Sequence, residues 1–164
     1  MPRGIPAWIR PEKKLTLGQR MWMAATLDCE GTISFHRSAS SQWGVVVRVE
    51  MTDPCFILEI HRLCSGWLSL NREKPSNRKP HSIWQVSSHG SRWLLPQILP
   101  FLIVKKRQAE LILEYLLTAK QGRRQQPEDA EKWAKIRDEM WELNSRGKWG
   151  RKTWSGDWRI YLPH

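Results

Sequence analysis

The sequence predicts an α+β domain in which helices cover one face of an antiparallel sheet, in the order αββαββα. Three observations lead there. Apolar residues recur at helical spacing from residue 17 to residue 27, and after Gly31 the period falls to two and stays there to Glu50. Asp53-Pro54 and FILEIHRLC then restore helical spacing. Two further short strand-like runs follow, WLSLN and HSIWQVSS, before a long helical stretch.

The first helix is expected to be capped by Thr16 and to present Met21, Ala24, Ala25 and Leu27 at helical spacing, with small Ala24 and Ala25 allowing another helix to approach. TISFHRSAS puts Ile33 and Phe35 on one side and Thr32, Ser34, His36 and Ser38 on the other. SQWGVVVRVE turns Val45, Val47 and Val49 inward and Val46, Arg48 and Glu50 outward. The pair reads as a hairpin with one apolar and one polar face. Asp53 is an N-cap with Pro54 in the first helical position, and Gly66 ends that helix. REKPSNRK is a basic loop between the third and fourth strands. Residues 91–119 are helical with a break near Pro100, 121–126 form a polar linker, and 127–144 form a closing helix. No repeat is found. One domain is expected over 16–147, with an N-terminal arm over 1–15 and a basic C-terminal tail over 148–164.

Composition narrows the partner. The chain has 164 residues, enough for a real core, and 27 Lys plus Arg against 16 Asp plus Glu give a net charge of +11. A compact domain this basic suits a polyanion. No apolar run reaches the ~18 residues of a spanning helix, and MPRGIPAWIRPEKK lacks the apolar middle of a signal peptide, so no membrane partner is expected. Cys29, Cys55 and Cys64 are odd in number and lack metal-site spacing; they read as reduced, intracellular thiols. No phosphate-cradling glycine loop is present, and no small-molecule substrate is expected. Most of the 11 tryptophans are expected to pack in the core or an interface.

The first helix ends in MAATLDCEG, with Asp28 and Glu30 just before Gly31. A helix C-terminus favours cations, so two acids there need compensation. Residues 23–31 with the αββαββα order resemble the LAGLIDADG homing endonuclease family, with Glu30 where Asp is commoner. LPFLIVKKRQAELILEYL, residues 99–116, resembles the "PFL-x-x-K-x-x-Q-A" helix entry of the single-motif, homodimeric, intron-encoded members, and IRDEMWELNSRG, residues 136–147, resembles their closing helix.

The resemblance implies a metal-dependent endonuclease that cuts double-stranded DNA at a long pseudo-palindromic target. It implies a homodimer packed through the motif helix, with Met23, Ala24, Ala25 and Leu27 at the interface. Glu30 and the backbone carbonyl of Cys29 would hold Mg2+ (or Mn2+), and Lys105 would offset transition-state charge. Asp28 is open between a structural role and catalytic support. The water-positioning group at the end of the second strand is also open: Glu50 and Met51 compete for the place, and Met51 has no chemistry for it.

The polar sheet face is the expected recognition surface, since a two-stranded ribbon fits a major groove. Ser34, His36, Ser38, Gln42, Arg48, Glu50, Ser69, Asn71, Arg72 and Gln85 are its candidates; Arg48 suits guanine, Glu50 cytosine and Gln85 adenine. Lys74, Arg78, Lys79, Lys148, Arg151 and Lys152 are expected at phosphates. The alternative is a chain of this fold that binds intron RNA or DNA without cutting, as a maturase or regulator. His61, His81 and His89 are too scattered to suggest a metal site.

Overall fold

The computed structural model describes residues 11–37, 43–72, 80–118 and 127–153. Helix α1 (Leu17–Glu30) leads into strand β1 (Gly31–Arg37) and strand β2 (Trp43–Met51). Helix α2 (Pro54–Cys64) leads into β3 (Trp67–Arg72) and β4 (His81–Val86). Helix α3 (Ser88–Ile98), a 3-10 turn (Leu99–Phe101), α4 (Lys106–Thr118) and α5 (Pro127–Thr153) complete the described chain. This is the expected αββαββα order, closed by two more helices.

The sheet is antiparallel throughout, in the order β1-β2-β4-β3, so β2 and β4 form its middle. Alternation places Ile33, Val45, Val47 and Val49 on the inner face, all at most 1% exposed. Trp84, opposite Val49, joins them with no exposed surface. Against this face lie α1, α2 and α3, which contribute Met23, Ala24, Leu27, Ile57, Ile60, Leu94 and Ile98 to one buried cluster.

Local chemistry sets the element ends. Thr16 and Gln19 form a reciprocal capping box, with Thr16 Oγ1 accepting from the Gln19 N–H and Gln19 Oε1 from the Thr16 N–H. Asp53 Oδ1 accepts from the Cys55 N–H at 2.8 Å, and Pro54 occupies the first helical position of α2. That helix ends at Ser65 (φ 53°) and Gly66 (φ 115°), both left-handed; a side chain at Gly66 would meet the Gln85 carbonyl at 2.7 Å.

Three boundaries differ from expectation. Leu15, assigned to the arm, is buried, and its N–H donates to Gln97 Oε1 of α3 at 3.0 Å. The first helix, whose apolar spacing ends at Leu27, runs on through both acids to Glu30. The last helix runs to Thr153 rather than residue 144, so part of the expected tail is helical. Along α5, Trp133 packs edge-on to Tyr115 and donates to Thr118 Oγ1 at 3.0 Å, and Asn144 Nδ2 donates to the Ile33 carbonyl at 3.1 Å. The closing helix is thereby tied to α4 and to β1. Among the described residues no helix is long and apolar enough to cross a membrane.

Candidate nucleic-acid interface and active site

The end of α1 is built from both sides. Both Asp28 carboxylate oxygens accept backbone N–H groups from the turn before α4: Oδ2 from Ile103 and Oδ1 from Lys105, each at 2.8 Å. In return Lys105 Nζ donates to the Asp28 carbonyl at 2.5 Å. That carbonyl is one of the last four of α1, which lack partners within the helix. A cation from far along the chain thus occupies the C-terminus where the dipole favours one. This is the compensation the acids required. Burial pushes the Lys105 ammonium below its ordinary pKa, and the charges of Asp28, Cys29 and Glu30 pull it back up.

Gly31 lets the chain leave this corner at once. A Cβ there would lie 2.7 Å from Leu27 Cα and 2.8 Å from the Leu27 carbonyl oxygen, so only glycine lets β1 start against the end of α1. Cys29 and Glu30 remain exposed beside the clamped Asp28.

The outer face of the sheet forms an open trough of about 490 Å3, lined by Thr32, Ser34, His36, Val46, Arg48, Glu50 and Gln85. Arg48 stands opposite Gln85 across β2 and β4. Ser69 and Trp67 lie on the same face, opposite Ile83 and Gln85, and Trp67 is 36% exposed. Glu50 does not stand free: Oε2 accepts from Arg48 Nη2 at 2.5 Å, and Oε1 lies 3.0 Å from His81 Nε2.

Neither a family model nor a curated protein sequence matches this chain. Solved structures do. The chain is similar to the homing endonuclease I-CvuI in complex with its target, at 21% identity over 76% of this chain and 80% of that one, with a TM-score of 0.63. It is similar to an archaeal intron-encoded homing endonuclease complexed with DNA, at 14% identity over 77% and 84%, with a TM-score of 0.64. It also resembles the LAGLIDADG homing endonuclease I-SmaMI bound to cleaved DNA, at 18% identity and a TM-score of 0.57; there it covers 80% of its own length but 47% of the other chain. The fold is that of the LAGLIDADG homing endonucleases.

Within the LAGLIDADG fold, the candidate residues separate. Asp28 and Lys105 meet at one corner, with Glu30 and Cys29 exposed beside it. Ser34, His36, Arg48, Glu50, Ser69 and Gln85 share the outer sheet face. Ser38, Gln42, Lys74, Arg78 and Lys79 lie outside the described residues. Asn71 and Arg72 are placed as backbone of β3, and Lys148, Arg151 and Lys152 as backbone of α5; their side chains lie outside what is described.

Two expectations are corrected. Met23, Ala24 and Leu27 have no exposed surface within one chain, because they pack on the chain's own core; a second subunit cannot reach them. The exposed stripe of α1 is Gly18, Met21, Ala25 and Cys29, turned to one side of that set, and only Ala25 of the four expected contacts belongs to it. Secondly, Glu50 does not stand alone on the face as a lone reader of cytosine would: Oε2 accepts from Arg48 and Oε1 lies beside His81, so whatever else it meets, it meets as part of that group. His81 itself was passed over in the sequence. It is buried, but a lone histidine at the start of a strand carries no signal of a partner 31 residues upstream.

Among the described residues, no group of three or more His, Cys, Asp or Glu is arranged to hold a metal. One chain offers the exposed Glu30 carboxylate and the Cys29 carbonyl, another of the α1 carbonyls without a helical partner. Asp28 is already engaged. That donor set fits a hard divalent cation once water and a phosphate supply further oxygens, which is how magnesium is commonly held.

Proposed function

We propose that two copies of this chain form a site-specific endonuclease that hydrolyses both strands of DNA at a long pseudo-palindromic target, with magnesium or manganese in the site. The observation that carries this reading is the α1 corner. It sets an exposed carboxylate, Glu30, beside an ammonium, Lys105, that is locked to the same helix end. The polar trough and a net charge of +11 support DNA as the partner. So does the likeness to I-CvuI with its target in the presence of calcium and to an archaeal endonuclease with DNA.

In this reading Glu30, with the Cys29 carbonyl, would hold the ion. A divalent ion bound there neutralises phosphate charge and lowers the pKa of water. Lys105 offers its ammonium to the oxygen that gains charge as the bond to phosphorus breaks. Asp28 keeps the 103–105 turn in place so that the ammonium arrives at the right point. Ser34, His36, Arg48, Ser69 and Gln85 face base edges, and Lys74, Arg78, Lys79, Lys148, Arg151 and Lys152 meet phosphates. The subunits meet through Gly18, Met21 and Ala25, where Ile103 and Val104, 86% and 68% exposed, extend the apolar surface.

One observation favours a second reading, a chain that binds DNA or intron RNA without cutting it. Met51, at the end of β2, carries no group that orients water, and Glu50 beside it is already paired with Arg48 and His81. A random duplex library decides between the readings. With magnesium, the wild type is expected to yield cut ends around one pseudo-palindromic motif; EDTA and Glu30→Gln abolish the cuts and leave binding intact. Enrichment of a motif without cut ends in any arm replaces the endonuclease by the binder. For the dimer, sedimentation is decisive: Ala25→Arg is expected to give folded monomers, while Ala24→Arg, buried in the core, fails to fold.

A further inference from the structure

The cleavage chemistry leaves one arrangement of the sheet unused. Glu50 lies between Arg48, two residues back on β2, and His81, the first residue of β4. All three stand on the outer face, on the two middle strands. Only 8% of the His81 side chain is exposed, and its Nδ1 is buried without a hydrogen-bond partner. Its other nitrogen is directed to Glu50 at 3.0 Å. The Arg48 side chain keeps 36% of its surface exposed, in the trough and across from Gln85.

A long arginine that swings freely must be ordered when it binds, and that cost is subtracted from affinity. A carboxylate that holds one guanidinium edge removes the cost and leaves the other N–H groups for a planar acceptor pair. In the major groove that pair is O6 and N7 of guanine. The carboxylate needs its own anchor, or it would turn towards solvent; the buried His81 supplies it. Glu50 placed bare against DNA would also repel phosphate, whereas Glu50 paired with Arg48 is locally neutralised.

We propose that Glu50 is a positioning residue: held by His81, it presents Arg48 to a guanine in each half-site, and selectivity at that base pair belongs to Arg48 and Glu50 together. The inference rests on the sheet face being a DNA-recognition surface. It replaces the expectation that Glu50 reads a cytosine by itself.

Selection of bound duplexes from a random library, in EDTA so that no strand is cut, tests it with wild type, Arg48→Ala, Glu50→Ala and the double variant. The wild type is expected to enrich a motif with one demanded guanine per half-site, and Arg48→Ala to lose about tenfold of that preference. Glu50→Ala loses most of the same preference at the same base pair. It also binds mixed-sequence duplex at least as tightly as wild type, because one negative charge is gone. The double variant is no less selective than Arg48→Ala. Glu50→Met, of similar size and with no oxygen to hold the guanidinium, gives the same readout where the alanine variant melts early. A loss at a different base pair, or losses that add in the double variant, overturns the inference, because Glu50 then reads a base alone. An unchanged Glu50→Ala motif overturns it too, and leaves the recognition surface standing. A wild type that enriches no sequence brings down the recognition surface and this inference with it.

Discussion

Asp28 at the end of α1 and Glu50 on the sheet each have both carboxylate oxygens engaged, but by partners of different kinds. Asp28 accepts from two backbone N–H groups of a turn 75 and 77 residues further on. Glu50 meets side chains: it accepts from Arg48, and its other oxygen lies 3.0 Å from His81 Nε2. A carboxylate on backbone groups ties two segments of main chain together and fixes where every atom of the turn lies. A carboxylate on side chains orients those side chains and leaves the backbone to the strand ladder. Corner and sheet therefore differ in what a substitution disturbs: the first moves the framework, the second moves a surface.

The largest effect is expected at the corner. Asp28→Ala strips the acceptors from Ile103 and Lys105 and is expected to cost about 2 kcal/mol in a denaturant melt. Under the endonuclease reading, cleavage falls with it, since the turn that carries Lys105 loses its anchor and no longer delivers the ammonium to the Asp28 carbonyl. A melt unchanged by Asp28→Ala would break the contrast. Gly31→Ala comes next. Its Cβ would meet the backbone of Leu27, which cannot step aside, so a loss of roughly 1–2 kcal/mol is expected in the same assay.

A pH profile sharpens the same corner. Burial lowers the Lys105 pKa from its ordinary 10.5, and Asp28 among its neighbours works against that fall. If the ammonium is needed, cleavage declines on the alkaline side at a pH below 10.5, and Asp28→Asn moves that limb lower still. The folded chain gives up this proton more readily than the unfolded chain. Lys105 therefore opposes folding below its folded pKa, and stability recovers as pH climbs from there towards 10.5. An alkaline limb above 10.5 would remove Lys105 from the reaction.

The smallest stability effect is expected on the sheet. Arg48 and Glu50 keep 36% and 31% of their side-chain surface exposed, and an ion pair in that setting contributes less than about 1 kcal/mol. Glu50→Ala should therefore shift the melt by less than Asp28→Ala. A larger shift would mean that His81, left without its carboxylate, destabilises the sheet from within.

Much of this was legible from local signals. Period-two alternation in TISFH and VVVRVE assigned the two faces of the hairpin, and burial of Ile33, Val45, Val47 and Val49 agrees. Thr16 and Asp53 announced their helices, because an N-cap is a contact between residues two or three apart. The nine residues at the end of α1 and the entry to α4 carried the family likeness, and the fold agrees with it. The faces of α1 were not legible in the same way. Met21, Met23, Ala24, Ala25 and Leu27 are all apolar, and helical spacing does not say which of them meets the chain's own sheet and which meets solvent. Docking on α3 and the sheet buried Met23, Ala24 and Leu27 and left Met21 and Ala25 outside.

By itself, then, the sequence determined the element order, the two faces of the sheet and the caps, since each depends on spacing and contacts within a few residues. Tertiary structure alone decided the pairings that cross the chain. Asp28 met the turn at 103–105, Lys105 met the carbonyl end of α1, and His81 met Glu50. Those contacts depend on how helices and strands are placed in space. A carboxylate free to bind, one that fastens a turn and one that steadies an arginine look the same in sequence, and only the groups brought within hydrogen-bond reach distinguish them.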